Sequence, residues 1–129
     1  MSRFRTTIVA DLAFAGAFGL AATDVAEAKS ISRIPASCSN GTAAHMVYLS
    51  SGSKVTLGFG SDSVASLGTW HIVISDNGTA ILDRTLVASV PAWSLATQRT
   101  LAKGTHFIEL AAENLTTGEV CTYALTNKV

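Results

Sequence analysis

Charge is scarce in this chain. Asp, Glu, Lys and Arg make up 14% of its 129 residues, and nine basic side chains balance nine acidic ones. That balance excludes the basic footprint by which proteins hold nucleic-acid phosphates. Proline and cysteine occur twice each, and aromatic residues form 7% of the whole. The longest apolar run, residues 12–22, is half what a bilayer-spanning helix needs, about 20 residues. No G-x-S-x-G elbow, no C-x-x-C pair and no closely spaced acidic loop is present, so the sequence offers no motif for a serine hydrolase, a redox pair or a calcium loop. Hydrophobic residues are nonetheless 48% of the chain, which excludes an intrinsically disordered segment. The length allows one domain of ordinary size.

The first residues read as a targeting segment. Arg3 and Arg5 precede the apolar run, and a short polar piece follows, ending in Ala26-Glu27-Ala28. A positive start, an apolar stretch of about 7–15 residues and an A-x-A end constitute a secretory signal peptide. Asp11 is an irregularity beside the run. Cleavage is expected after Ala28, giving residues 1–28 as signal peptide and 29–129 as the mature domain. Position 29 is Lys rather than Cys, so no lipoprotein attachment is expected there, and the mature form should be exported without a membrane anchor. Residues 29–129 carry seven basic and six acidic groups, together with 13 Ser and 12 Thr. Hydroxyls take the place of charges as solubilising groups, which suits strands exposed on one face.

Both cysteines, Cys38 and Cys121, lie in the mature part with 82 residues between them. An even count in an exported chain is read first as a disulfide, here one that closes almost the whole domain into a loop.

From residue 43 onward the pattern is strand, turn, strand. Residues 43–49 form a first apolar run, ended by Ser50-Ser51-Gly52-Ser53. Val55, Leu57 and Phe59 share one face of the next strand, and residues 58–68, with their Gly and Ser, are expected to form a loop. Trp70, Ile72 and Ile74 alternate in the same way. Asn77-Gly78 between two apolar runs is a strong hairpin signal, because both residues accept the positive φ of a type I′ turn. Residues 80–87 should return as an edge strand, since Asp83 and Arg84 put a charge on each face. Residues 88–103 are the least legible: Pro91 breaks a central strand, and 95–101 fit either a short strand or a helical turn. Residues 105–113 and 119–126 form a final pair, with Cys121, Tyr123 and Leu125 on one face. Six or seven short strands in about 100 residues indicate an all-β sandwich or small barrel.

The stretch Lys103-Gly104-Thr105-His106-Phe107-Ile108-Glu109-Leu110-Ala111-Ala112-Glu113-Asn114 resembles the penultimate strand of bacterial immunoglobulin-like domains, and Gly52-Ser53-Lys54-Val55-Thr56-Leu57 resembles the beginning of their second strand. The chain differs in placing His106 where an aromatic is usual, and in lacking the Cys-Trp-Cys spacing of antibody domains. The resemblance implies an immunoglobulin-like sandwich of six to seven antiparallel strands, in which a bond from Cys38 to Cys121 ties the first strand region to the last. It implies no activity.

No catalytic constellation and no cofactor are expected from these residues, and the chain reads as a non-enzyme. His45, His71 and His106 fall on three separate strands; His106 shares a face with Ile108 and Leu110 and is expected to pack, while His71 faces away from Trp70 towards solvent. No metal site is expected from them. Asp62, Asp76 and Asp83 are isolated and suit turns and solvation. Three Asn-x-Thr acceptors, at Asn40, Asn77 and Asn114, sit at expected turns. Trp93, in a loop beside Pro91, is either a plug over one end of the sandwich or a recognition platform, and Phe107 on an outward face is a candidate to join it in an exposed patch. The expected function is therefore a non-catalytic extracellular module that binds a protein or an envelope polysaccharide through Pro91, Trp93 and Phe107. The alternative is a small secreted inhibitor of a hydrolase such as a protease, presenting residues 88–95. The sequence does not disclose the ligand or the oligomeric state.

Overall fold

Apolar side chains recurring at every second position make most of this chain extended. A computed structural model describes residues 26–27 and 33–129. Short strands come first: β1 (Ala26–Glu27), β2 (Arg33–Pro35) and β3 (Ser37–Cys38). Seven long strands follow: β4 (Ala44–Ser51), β5 (Lys54–Ser61), β6 (Gly68–Asp76), β7 (Thr79–Ala88), β8 (Trp93–Thr100), β9 (Thr105–Asn114) and β10 (Val120–Lys128). A single 3-10 turn, η1 (Val64–Ser66), lies between β5 and β6. The expected signal peptide lies outside the described residues, apart from β1, which runs parallel to Leu125–Thr126 of β10.

The long strands form two antiparallel sheets. One has the order β10-β9-β6-β7, with β1 and β3 both on the free side of β10; the other has the order β2-β4-β5-β8. Among the long strands the chain crosses between sheets after β5, after β7 and after β8, so that β4-β5-β8 faces β10-β9-β6-β7. This is an all-β sandwich, and it is closed by the Cys38–Cys121 disulfide. Strand order describes a fold and brings no activity with it.

Two turns set the register. Gly52 at φ 61 takes the first central position of the β4–β5 hairpin, the position that a type II′ turn reserves for glycine. Asn77 at φ 50 and Gly78 at φ 87 give the β6–β7 hairpin the type I′ turn that their sequence predicts. Between the sheets, Met46, Tyr48, Leu57, Phe59, Trp70, Ile72, Ile74, Ile108 and Leu125 are fully enclosed. Each comes from the alternating face of its strand, as the period-two pattern requires.

One sequence expectation needs correction, and one open choice is decided. Residues 58–61 belong to β5 and are not a loop. Gly58 and Gly60 lie where the β8 backbone comes so close that a Cβ on Gly58 would collide with the Leu95 carbonyl, and one on Gly60 would lie 2.6 Å from that of Trp93. In the ambiguous stretch, β8 is a full strand paired along its length with β5, so 95–101 is not a helical turn. The edge assignment of residues 80–87 holds: among the described residues β7 has a partner strand on one side only, and charged Asp83 and Arg84 sit on that edge strand. Among the described residues, no helix is long and apolar enough to cross a membrane.

Candidate functional site

The sandwich has two dissimilar ends. At one, four connections come together: residues 39–43 before β4, 62–67 between β5 and β6, 89–92 between β7 and β8, and 115–119 between β9 and β10. The strand registers fix this grouping, since Ala44 pairs with Ser61, Ser61 with Trp93, Gly68 with Ala88 and Trp70 with Asn114.

Three of these connections, 39–43, 62–67 and 115–119, are held from beneath by buried polar side chains. Ser66 is fully enclosed. Its hydroxyl donates to the Ser63 carbonyl at 2.6 Å and accepts the Trp93 indole N–H at 3.1 Å, while its carbonyl accepts the Trp70 indole N–H. Both indoles thus end on one serine, and their rings form a cluster with Phe59, with centroids 5.3 to 5.7 Å apart. Asn114 is fully enclosed as well. Its Oδ1 accepts from the Thr116 and Thr117 amides, and its Nδ2 donates to the Leu67 carbonyl, tying the last connection to the second. Glu119, 4% exposed, accepts the Asn40 amide and the Thr42 hydroxyl, each at 2.6 Å. Burial pushes the Glu119 carboxyl up, yet the hydrogen bonds from Thr42 and Asn40 outweigh it and hold the carboxyl below its ordinary value. Beside it the disulfide joins Cys38 to its direct cross-strand partner Cys121.

Large apolar side chains stand outside this framework, among exposed polar residues such as Asn40, Asp62, Ser89 and Thr116. Only five large hydrophobic side chains are exposed among the described residues, and four of them sit at this end: Val64 at 69%, Val87 at 71%, Val90 at 64% and Leu115 at 55%. Val87 pairs with Thr69, whose carbonyl accepts the Leu115 amide, so Val87 and Leu115 flank the same backbone. Pro91 is exposed between Val90 and Ala92, and Ala92 takes φ 62, a left-handed conformation that costs a non-glycine residue energy.

The three expected contact residues do not assemble. Pro91 lies on the surface of this end, as anticipated. Trp93 is not a loop residue: it begins β8 and is half-buried against Phe59 and Trp70. Phe107 is half-buried on the outer face of the other sheet, and its backbone is bonded to Asn77 at the far end of β6. An exposed patch shared by Trp93 and Phe107 is therefore excluded. Val64, Val90, Leu115, Ser66, Asn114 and Glu119 are the residues that sequence reasoning missed. For Asn114 a signal was legible, because an Asn followed by Leu-Thr-Thr-Gly readily caps its own turn.

The histidines are also dispersed. His45 points outward from the β2-β4-β5-β8 sheet; burial, then Arg33, pushes its pKa down, against the pull of Asp62. His71 points outward from the opposite sheet and meets Asp83 at 2.7 Å, so it is paired as well as partly solvated. His106 is buried, as expected, at the other end of the molecule. The only group of His, Cys, Asp and Glu among the described residues with metal-like proximity is Cys38, Glu119 and Cys121, whose two sulfurs are bonded to each other. Of the three glycosylation acceptors, Asn40 and Asn77 are exposed, whereas the Asn114 amide is enclosed and engaged, so the folded domain presents no acceptor there.

No protein-family model matches the chain, and neither does any curated protein or solved structure with which it was compared. Any account of function therefore rests on the residues and their geometry.

Proposed function

We propose that this chain is an exported, non-catalytic interaction module that binds a protein or a cell-envelope polysaccharide through the four connections at its apolar end. The observation that carries this reading is the placement of Val64, Val87, Val90 and Leu115 together at one end of the sandwich. Large apolar side chains left in water cost free energy that a partner recovers by covering them. The framework beneath them suits that role. Ser66, Asn114 and Glu119 fix three of the four connections in advance, so less ordering entropy is lost when a partner docks. Pro91 belongs to the contact surface. Trp93 supports it from below, and Phe107 has no part in it. The export half of the reading comes from the signal-peptide pattern and agrees with the disulfide.

The alternative, a hydrolase inhibitor presenting residues 88–95, is favoured by one feature, the left-handed Ala92 in a connection whose two ends are pinned in strands. Such an inhibitor would act through residues 89–92 alone, because 93–95 are paired in β8.

An affinity capture tests the first reading. Oxidised protein beginning at Lys29 serves as bait, with the producer's envelope fraction and culture medium as prey. A saturable partner should be retained, and the double variant Val90→Ser, Leu115→Ser should lose it while unfolding at the wild-type temperature. Retention by that variant as strong as by the wild type overturns the assignment of this end. Stoichiometric inhibition of a protease in the same fractions, abolished by changes at 90–92, would replace it with the alternative.

A further inference from the structure

The opposite end of the sandwich is built around one histidine. His106, 7% exposed, directs both ring nitrogens at acceptors. Nδ1 lies 2.9 and 2.8 Å from the two carboxylate oxygens of Asp76, and Nε2 lies 2.6 Å from the Ala102 carbonyl oxygen. A neutral imidazole carries a single N–H and has a lone pair on its other nitrogen. It can therefore donate to the carboxylate or to the carbonyl, but not to both. Only the imidazolium, with two N–H groups, satisfies this arrangement.

The two acceptors belong to different parts of the chain. Asp76 ends β6, and the adjoining turn is bonded to β9 through Asn77, whose side-chain oxygen accepts the Phe107 amide. Ala102 lies in the connection between β8 and β9, where Leu101 donates to the Ser53 carbonyl and Gly104 exchanges two backbone hydrogen bonds with Val129. The ring thus bridges the end of one sheet to the connection that crosses from the other. We infer that His106 is held as an imidazolium that latches the β8–β9 connection to the end of β6, and that loss of its proton as the pH rises releases this connection. The proton leaves from Nε2, because Nδ1 faces a full negative charge and the stronger hydrogen bond. The Ala102 carbonyl then loses its donor, while the Asp76 contact persists.

The other groups around the ring do not compete for this transition. Asp76, on β6, favours the charged ring. Tyr48, facing from β4, has its phenol pushed up to about 12, chiefly by burial, and stays neutral throughout. Asn127, opposite His106 on β10, does not titrate. Lys54, Lys103 and Lys128 at this end are all exposed; their like charge opposes the imidazolium, but through solvent that screens it. In keeping with the geometry, the hydrogen bond to Ala102 raises the His106 pKa most; burial opposes it, and Asp76 adds to the rise. A group whose folded pKa is raised contributes its stability below the unfolded value, here 6.5, and loses it as the pH climbs through the folded value.

The test is an NMR titration of the intact oxidised protein, following ring nitrogen shifts and backbone amide exchange together. His106 should show both nitrogens protonated at pH 6.5 and should titrate at a higher pH than His45. Through the same transition, the exchange of Gly104 and Val129, corrected for intrinsic rates, should accelerate by about tenfold, the equivalent of roughly one hydrogen bond. The variant Asp76→Asn should shift the His106 titration to lower pH. A neutral ring at pH 6.5 overturns the inference. Exchange that stays flat while the ring titrates overturns the latch, whatever the ionisation state.

Discussion

Replacing Trp93 by alanine distinguishes a surface platform from a buttress. The indole touches two rings, Phe59 at 5.6 Å and Trp70 at 5.7 Å between centroids, and its N–H donates to Ser66. Each aromatic pair contributes about 0.5–1.5 kcal/mol beyond simple burial, and the hydrogen bond about 1 kcal/mol. A fully buried tryptophan costs about 3–5 kcal/mol on truncation. Trp93 is only half-buried, which brings the expected loss to about 2–3 kcal/mol. For a domain of this size that lowers the melting temperature by roughly 10–20 °C. Urea unfolding read by far-ultraviolet circular dichroism measures the loss independently of the missing fluorophore. Trp93→Phe separates the two contributions: it keeps a ring against Phe59 and Trp70 and gives up only the bond to Ser66, so it should lose about 1 kcal/mol. An unchanged midpoint for Trp93→Ala would refute the buttress and return the side chain to the contact surface. Equal losses for Ala and Phe would place all of the energy in the hydrogen bond and none in the ring cluster.

Two further outcomes follow from the same end of the molecule. Reducing the Cys38–Cys121 bond, which spans 83 positions, should lower stability in urea by about 4.5 kcal/mol, the loop-closure entropy returned to the unfolded chain; a shift below about 1 kcal/mol would mean that native contacts, not chain closure, hold these strands. Glu119→Gln should cost about 1–3 kcal/mol at pH 7, because the Asn40 amide and the Thr42 hydroxyl lose a charged acceptor. Since the folded carboxyl sits below its ordinary value of 4.5, that contribution is present above about pH 4.5 and disappears as the pH falls through the lower folded value, so stability–pH curves of wild type and variant should converge in acid. Curves that run parallel into acid would show that Glu119 is not the group responsible.

The sequence was most readable where local chemistry decides. Asn77-Gly78 named its turn because few other pairs accept two positive φ angles, and Asp83 with Arg84 marked an edge because charges are not enclosed in a central strand. The cysteines named each other because there were two. It was least readable where a residue's meaning lies in a partner distant along the chain. Gly58 and Gly60 carry the composition of a loop, and only the close passage of β8 explains them as strand. Ser66, Asn114 and Glu119 are residue types found on surfaces, and their burial becomes intelligible only with the indoles, Leu67 and Thr42 in place. His106 and Asp76 stand 30 residues apart, and period-two counting could bury the ring but could not name the carboxylate. Trp93 was ambiguous for the same reason: alternation says nothing about which aromatic completes a cluster built from three strands.

The disulfide has a mechanical consequence. It joins β3, near the beginning of the described fold, to β10, its last strand, across adjacent backbones. Tension applied between the two ends of the chain would pass from Cys38 directly to Cys121 and bypass everything between them. The 82 intervening residues, a contour length of about 270–300 Å if drawn straight, cannot be paid out while the bond is oxidised. Pulled in this way, the segment between the two cysteines stays unloaded, and the end that carries Val64, Val90 and Leu115 keeps its shape under a force that would unravel an unbridged sandwich strand by strand.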